Sequence, residues 1–210
     1  MRGLSLLLLL ALGALAPASG AADPTPGECA PLQPGPGIRC LYRSGFPSAG
    51  LVATCRADQD CRVGYYQGRV DAVTWLAPPP GLVTLPRPAV TWHSATLAQA
   101  RFAIGARGSV SYFYEARRRR LSAPRPDVLA VDTGRQLIAV AEERRVLVRR
   151  MFGGEAVLAI ERDWADGASL VEAIALARFD PDGRLTLRWL RGPARDPIDE
   201  RFSVPTLPRP

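Results

Sequence analysis

The chain of 210 residues contains no lysine and no asparagine, and it has one histidine, His93. Each absence removes chemistry. Without lysine a serine–lysine dyad cannot form, and "GARGSV" (105–110) lacks the residue with which a Walker-type loop reaches phosphates. With a single histidine the usual base near neutral pH is confined to one place. Ser94 follows it in "TWHSATL", but neighbours on a strand point to opposite faces, and no G-x-S-x-G elbow is present. Neither C-x-x-C nor C-x-x-C-H occurs, which removes the redox-shuttle and haem-attachment motifs. The four cysteines are too widely spaced for a zinc site, and histidines to complete one are missing. No apolar run beyond the N-terminal leader is long enough to span a bilayer. No cofactor, metal site or catalytic residue is expected. The one open route to catalysis is a carboxylate-based glycan hydrolase, with Asp163 or Asp180 as candidates. Asp163, Asp166, Asp180 and Asp182 all fall near expected turns, where acidic residues commonly serve turn geometry.

What is present begins with the leader. Arg2 precedes an apolar run from Leu4 to Ala16, and "APASGAA" supplies small residues for cleavage after Ala22. This is the order of a secretory signal peptide. Residues 1–22 are therefore read as a signal, and the mature chain as periplasmic or secreted. Abundant arginine, alanine, glycine and proline fit a GC-rich bacterial genome. On that reading the net charge of +7 needs no acidic partner to explain it.

Cys29, Cys40, Cys55 and Cys61 all lie early, and an even count in an exported chain reads as two disulfides. Three pairings are possible. The short loop "CRADQDC" favours Cys55–Cys61, which would leave Cys29 with Cys40. The surrounding segment, 23–88, is rich in proline and glycine and reads as irregular and disulfide-linked. Its first extended stretch is placed at 69–77, and "PPPGLVTLPRP" (78–88) is a stiff connector.

From 89 to 210 the punctuation is regular. "GARG" separates "TLAQARFAI" from "SVSYFYEA". Gly134-Arg135, Gly153-Gly154, Asp166-Gly167 and "DPDGR" (180–184) mark further turns. In "RLTLRWL", Leu185, Leu187 and Trp189 alternate with Arg184, Thr186 and Arg188. The expected fold is all-β: an antiparallel meander forming a sandwich or barrel. One segment competes. "SLVEAIALAR" (169–178) contains good helix formers, and Ser169 with Glu172 would make a capping box. As a helix it would turn the fold into α+β.

The densest charge is "SYFYEARRRRL", residues 111–121. Extended, it would split Arg117 and Arg119 from Arg118 and Arg120; only a loop could converge all four. The leading expectation is a solvated strand end whose charges block edge-to-edge pairing. The alternative is an arginine-mediated polyanion site of Arg117, Arg118, Arg119 and Arg120, with Arg149 and Arg150 adding to it. Its ligand would be lipopolysaccharide phosphate or an anionic glycan. Acidic residues interleaved with the arginines, together with export, argue against nucleic acid. The leading functional expectation is an exported, non-catalytic β-rich protein that binds an envelope protein or ligand.

Overall fold

A computed structural model describes residues 27–206 apart from 34, 47 and 166–168. The signal-peptide segment and the Asp166-Gly167 turn lie outside the described residues. The regular structure of the rest is nearly all β, in four sheets that follow one another along the chain.

The first sheet runs β1 (Glu28–Pro31), β2 (Ile38–Arg43), β3 (Ala49–Ala57), β4 (Asp60–Gln67) and β5 (Val73–Trp75). The second holds β6 (Ala89–Trp92), β7 (Leu97–Ile104) and β8 (Gly108–Glu115), and the short strands β9 (Arg120–Leu121) and β10 (Arg125–Pro126) both pair with β8. The third is β11 (Val128–Asp132), β12 (Leu137–Glu142), β13 (Arg145–Arg150) and β14 (Ala156–Glu161). After one helical turn, α1 (Leu170–Ala173), the fourth comprises β15 (Ile174–Phe179), β16 (Arg184–Arg191) and β17 (Asp196–Ser203). The pairings within each sheet are antiparallel.

How the sheets stack can be read from which core each alternate residue enters. On β8, Tyr112 and Tyr114 join a core shared with Leu51, Ala53 and Val63 of the first sheet, while Phe113 joins Ile138, Val140 and Leu147 of the third. On β12, Leu137, Ala139 and Ala141 pack with Leu185, Leu187 and Trp189 of the fourth, opposite to Ile138 and Val140. A strand's side chains alternate between its two faces. Both faces of the second and third sheets are therefore covered, and the order in space is the order in sequence. This explains why "SYFYEA" and "LIAVAE" are apolar at nearly every position, as strands buried on both faces are.

The all-β antiparallel meander is the fold observed. Its sheets lie face to face as in a sandwich, but they are four deep, and among the described residues no closed barrel forms. The N-terminal segment departs from its expected irregularity. The disulfides are there, Cys29–Cys40 and Cys55–Cys61, yet residues 28–75 build a five-stranded sheet around them. Each bridged pair is directly cross-strand in register. The glycines take part in that sheet. A Cβ on Gly64 would come within 2.5 Å of Val73 Cγ1 and 2.6 Å of the Thr74 carbonyl, so only glycine lets β5 approach.

The contested stretch at 169–178 is both things in succession. Ser169 and Glu172 form the capping box, with each side chain reaching the other's backbone N–H. The helix then stops at Ala173, because Ile174 takes an extended conformation and pairs with Trp189. Cross-strand pairing and burial win over helix propensity here.

Candidate functional site

Two surface features are candidates. The larger is a groove of about 900 Å3 on the outer side of the first sheet. Its floor is Thr54, Arg56 and Arg62, residues of β3 and β4 that alternate away from the buried Ala53, Cys55, Cys61 and Val63. One wall is the turn around Leu32 and Pro36; the other is the stretch from Trp75 to Leu85. Trp75 is 37% exposed and Val83 is 93% exposed. The Arg62 guanidinium lies over the Trp75 ring, 4.6 Å from its centre.

The second wall is held at several points. Cys61 and Leu85 exchange two backbone hydrogen bonds, at 2.8 and 3.3 Å. The Thr84 hydroxyl donates to the Gln59 carbonyl at 2.9 Å, and Arg87 pairs with Asp58 at 2.9 Å. Leu76 N–H donates to the Val63 carbonyl. From the second sheet, the Tyr112 hydroxyl donates to the Ala77 carbonyl at 2.8 Å, and burial pushes the Tyr112 pKa up to about 12. Pro79, Pro86 and Pro88 are buried, which tethers the wall at both ends. The Cys55–Cys61 disulfide joins the two floor strands, with Cys61 itself lining the groove, and Cys29–Cys40 closes the β1–β2 hairpin that carries the first wall. Proline, glycine and cystine thus hold open a cleft that a flexible loop would fill by collapsing.

The second feature is the arginine turn. Residues 116–119 form the tight turn between β8 and β9, with Arg117, Arg118 and Arg119 exposed and Arg119 at a φ of +53°. The turn is fixed from beneath. Ala116 N–H donates to the Thr96 carbonyl at 2.8 Å, the Gln67 amide donates to the Ala116 carbonyl at 2.6 Å, and Glu115 accepts from Arg117 N–H at 3.2 Å. Arg120 starts the return strand, half-buried, with its guanidinium 4.7 Å from the centre of the Phe152 ring. Arg150 lines the same crevice, which has a volume of about 50 Å3, together with Gln136 and Gly153.

Of the six arginines singled out in the sequence, Arg120 and Arg150 therefore line one crevice, and Arg117, Arg118 and Arg119 precede Arg120 on the exposed turn. Arg149 is set apart. It pairs with Glu142 at 2.9 Å, between the second and third sheets. Next to it is the buried Arg125, which no sequence motif singles out. The Arg125 guanidinium donates to the carbonyls of Met151 and Gly153, and burial, then repulsion from Arg149, lowers its pKa.

Of the candidate catalytic groups, His93 and Asp180 are otherwise engaged, as is Ser94. His93 Nε2 bonds Gln99 at 2.9 Å rather than Ser94, and Gln99 donates onward to Ser111. Burial lowers the His93 pKa. The Ser94 hydroxyl accepts from the backbone N–H groups of Thr96 and Leu97. Asp180 accepts from the Thr186 hydroxyl and from Arg178, which hold its carboxyl below the usual range. A carboxylate so held is a poor general acid near neutral pH. Among the described residues no cluster of three histidines, cysteines or acids could hold a metal ion, and no helix is long and apolar enough to cross a membrane.

No family model matches the chain, and no curated protein does. Among solved structures it is similar to one described as the structure of the Dos1 propeller, with a TM-score of 0.40 and 8% identity over 79% of this chain. The aligned part covers 46% of that chain, so this protein spans under half its length.

The groove was not legible in advance. Its residues come from 32–36, 54–63 and 75–85, and in sequence the second wall has the composition of a connector. The one sequence signal was the pairing of proline-rich stretches with cysteines on either side of "LVATC".

Proposed function

We propose that the chain is an exported, non-catalytic binding protein of the periplasm or cell exterior, and that its groove holds an extended segment of an envelope protein. The segment is apolar and carries a carboxylate. The observation that supports this most is the groove itself, open, walled by proline and braced by two disulfides. Such bridges point to an oxidising, non-cytoplasmic compartment.

The chemistry of the lining supports the choice of occupant. Leu32, Pro36, Trp75, Pro78 and Val83 offer apolar contact along the walls. Arg56 and Arg62 on the floor are exposed, and among the described residues neither takes a carboxylate partner. One acid, Asp60, lines the groove with them. An incoming carboxylate can take the bidentate guanidinium geometry. A cleft already held open spares the partner the ordering of a loop, a cost that otherwise comes out of affinity.

The test is retention on envelopes isolated from cells that express the chain, comparing wild type with Val83→Asp and Arg62→Glu. Both changed residues are exposed, so the variants keep the fold. Wild type should stay bound at moderate salt, and each variant should wash off at least about tenfold more readily, which corresponds to about 1.4 kcal/mol. Equal retention of all three would reject the groove as the binding surface.

A further inference from the structure

Of the 25 described arginines, 12 have an acidic partner. Arg43 pairs with Glu28, Arg107 with Glu172, Arg162 with Glu200, and Arg188 with Asp199. The run at 117–120 behaves differently. Among the described residues none of its four guanidinium groups takes a carboxylate. The nearest acid in sequence, Glu115, is buried and accepts a hydrogen bond from the turn's own backbone. The turn places Arg117, Arg118 and Arg119 in solvent, while Arg120 stands over Phe152 with Arg150 beside it. Four adjacent guanidinium groups without a carboxylate repel one another, and a bound anion relieves that repulsion.

We propose that the turn Arg117–Arg120, with Arg150 at its base, is a contact site for the phosphate groups of an anionic lipid surface. It rests on the reading of the chain as exported, but not on the groove. Three considerations select this ligand. Guanidinium groups match phosphate with two parallel hydrogen bonds each. The crevice between Arg120 and Arg150 is small, about 50 Å3. The ligand therefore lies across the turn, as a surface does, instead of entering a pocket. Leu121, next on the return strand, is 36% exposed and gives the charged tip an apolar flank. A headgroup layer satisfies both parts, whereas an acidic polysaccharide or nucleic acid offers the flank little.

The experiment is co-sedimentation of the full mature, oxidised protein with vesicles of phosphatidylcholine containing about a third phosphatidylglycerol, across a salt series. Each basic residue at such a surface contributes about fivefold to partitioning at low salt. Changing Arg117, Arg118, Arg119 and Arg120 to glutamine should therefore lower binding more than about a hundredfold. A charge-matched control changes Arg178, Arg184, Arg188 and Arg201 on the fourth sheet, which removes the same net charge and leaves the turn intact. The expected result is that wild type and this control bind and are released by salt, while the turn variant stays in solution. Val83→Asp should bind vesicles like wild type, so failure of the groove and failure of the turn are read separately. The proposal is overturned if wild type does not bind, if both quadruple variants lose binding alike, or if the turn variant still binds. It is also overturned if soluble polygalacturonate or duplex DNA at equal charge captures the protein more tightly than the vesicles.

Discussion

Breaking both disulfides should remove about 5 kcal/mol of stability by the chain-entropy relation. The bridges close loops with sequence separations of 11 for Cys29–Cys40 and 6 for Cys55–Cys61. Loops of those lengths give about 2.8 and about 2.2 kcal/mol at 25 °C. The sum is comparable with the whole stability of many domains, about 5–15 kcal/mol. For a protein of this size it corresponds to a fall in Tm of about 10–20 °C. The assay is thermal unfolding followed by circular dichroism, with oxidised wild type beside the paired variants C29S/C40S and C55S/C61S and the fourfold serine variant. Each pair should melt below wild type, C29S/C40S slightly lower than C55S/C61S, and the fourfold variant lowest of all. Both bridges tie neighbouring strands of the first sheet, so β1, at the edge, should exchange its amides first. If the fourfold variant melts within about 2 °C of wild type, the entropic reasoning is wrong, because that shift is worth under about 1 kcal/mol.

Three further outcomes follow from the packing and the titrating groups. Phe113→Ala, at a fully buried position between the second and third sheets, should destabilise by about 3–5 kcal/mol in urea titration; a loss below about 1 kcal/mol would mean those sheets do not pack there. Gly64→Ala forces a Cβ against Val73 and the Thr74 carbonyl and should cost about 1–3 kcal/mol, measured in the same way, with Trp75 fluorescence reporting displacement of β5. The folded His93 pKa lies below the unfolded value of 6.5, so the fold favours neutral imidazole. Its contribution is complete above pH 6.5 and is lost as the pH falls through the folded value, with a slope of at most about 1.4 kcal/mol per pH unit. Asp180, Asp199 and Glu200 also have lowered pKa values, but their contributions are lost below their unfolded values of 3.8 to 4.5. Stability measured between pH 6.5 and 5 should therefore flatten in His93→Gln, and an unchanged slope would refute the assignment.

The second half of the chain was legible because its turns are marked by residues chosen for backbone geometry. "GARG", Gly153-Gly154 and "DPDGR" each lie between the strands expected on either side. Leu185, Leu187 and Trp189 are buried as their alternation requires. The first half was less so. Proline and glycine around Cys29 and Cys40 signalled irregularity, yet those residues cluster in the turns and walls, and "AGLVATCRA" and "DCRVGYYQ" still carry strand composition. Four-deep stacking was also hidden, since a strand buried on both faces looks the same in sequence whichever sheets cover it. Sequence alone could not decide the arginine run, because a turn at 116–119, not an extended strand, sets which side chains converge. The groove needed the fold, as its floor and walls come from three separated segments.

The most direct test of the binding account places a photoreactive residue at Val83, the most exposed apolar position on the groove wall. The chain carrying it is expressed, exported and irradiated in intact cells, with a second photoreactive chain altered at Arg62→Glu. The account predicts a discrete adduct to one envelope protein, mapped to an apolar segment with an acidic residue, and much weaker in the Arg62 variant. A diffuse smear of unrelated adducts, or an adduct that is indifferent to Arg62, would contradict it.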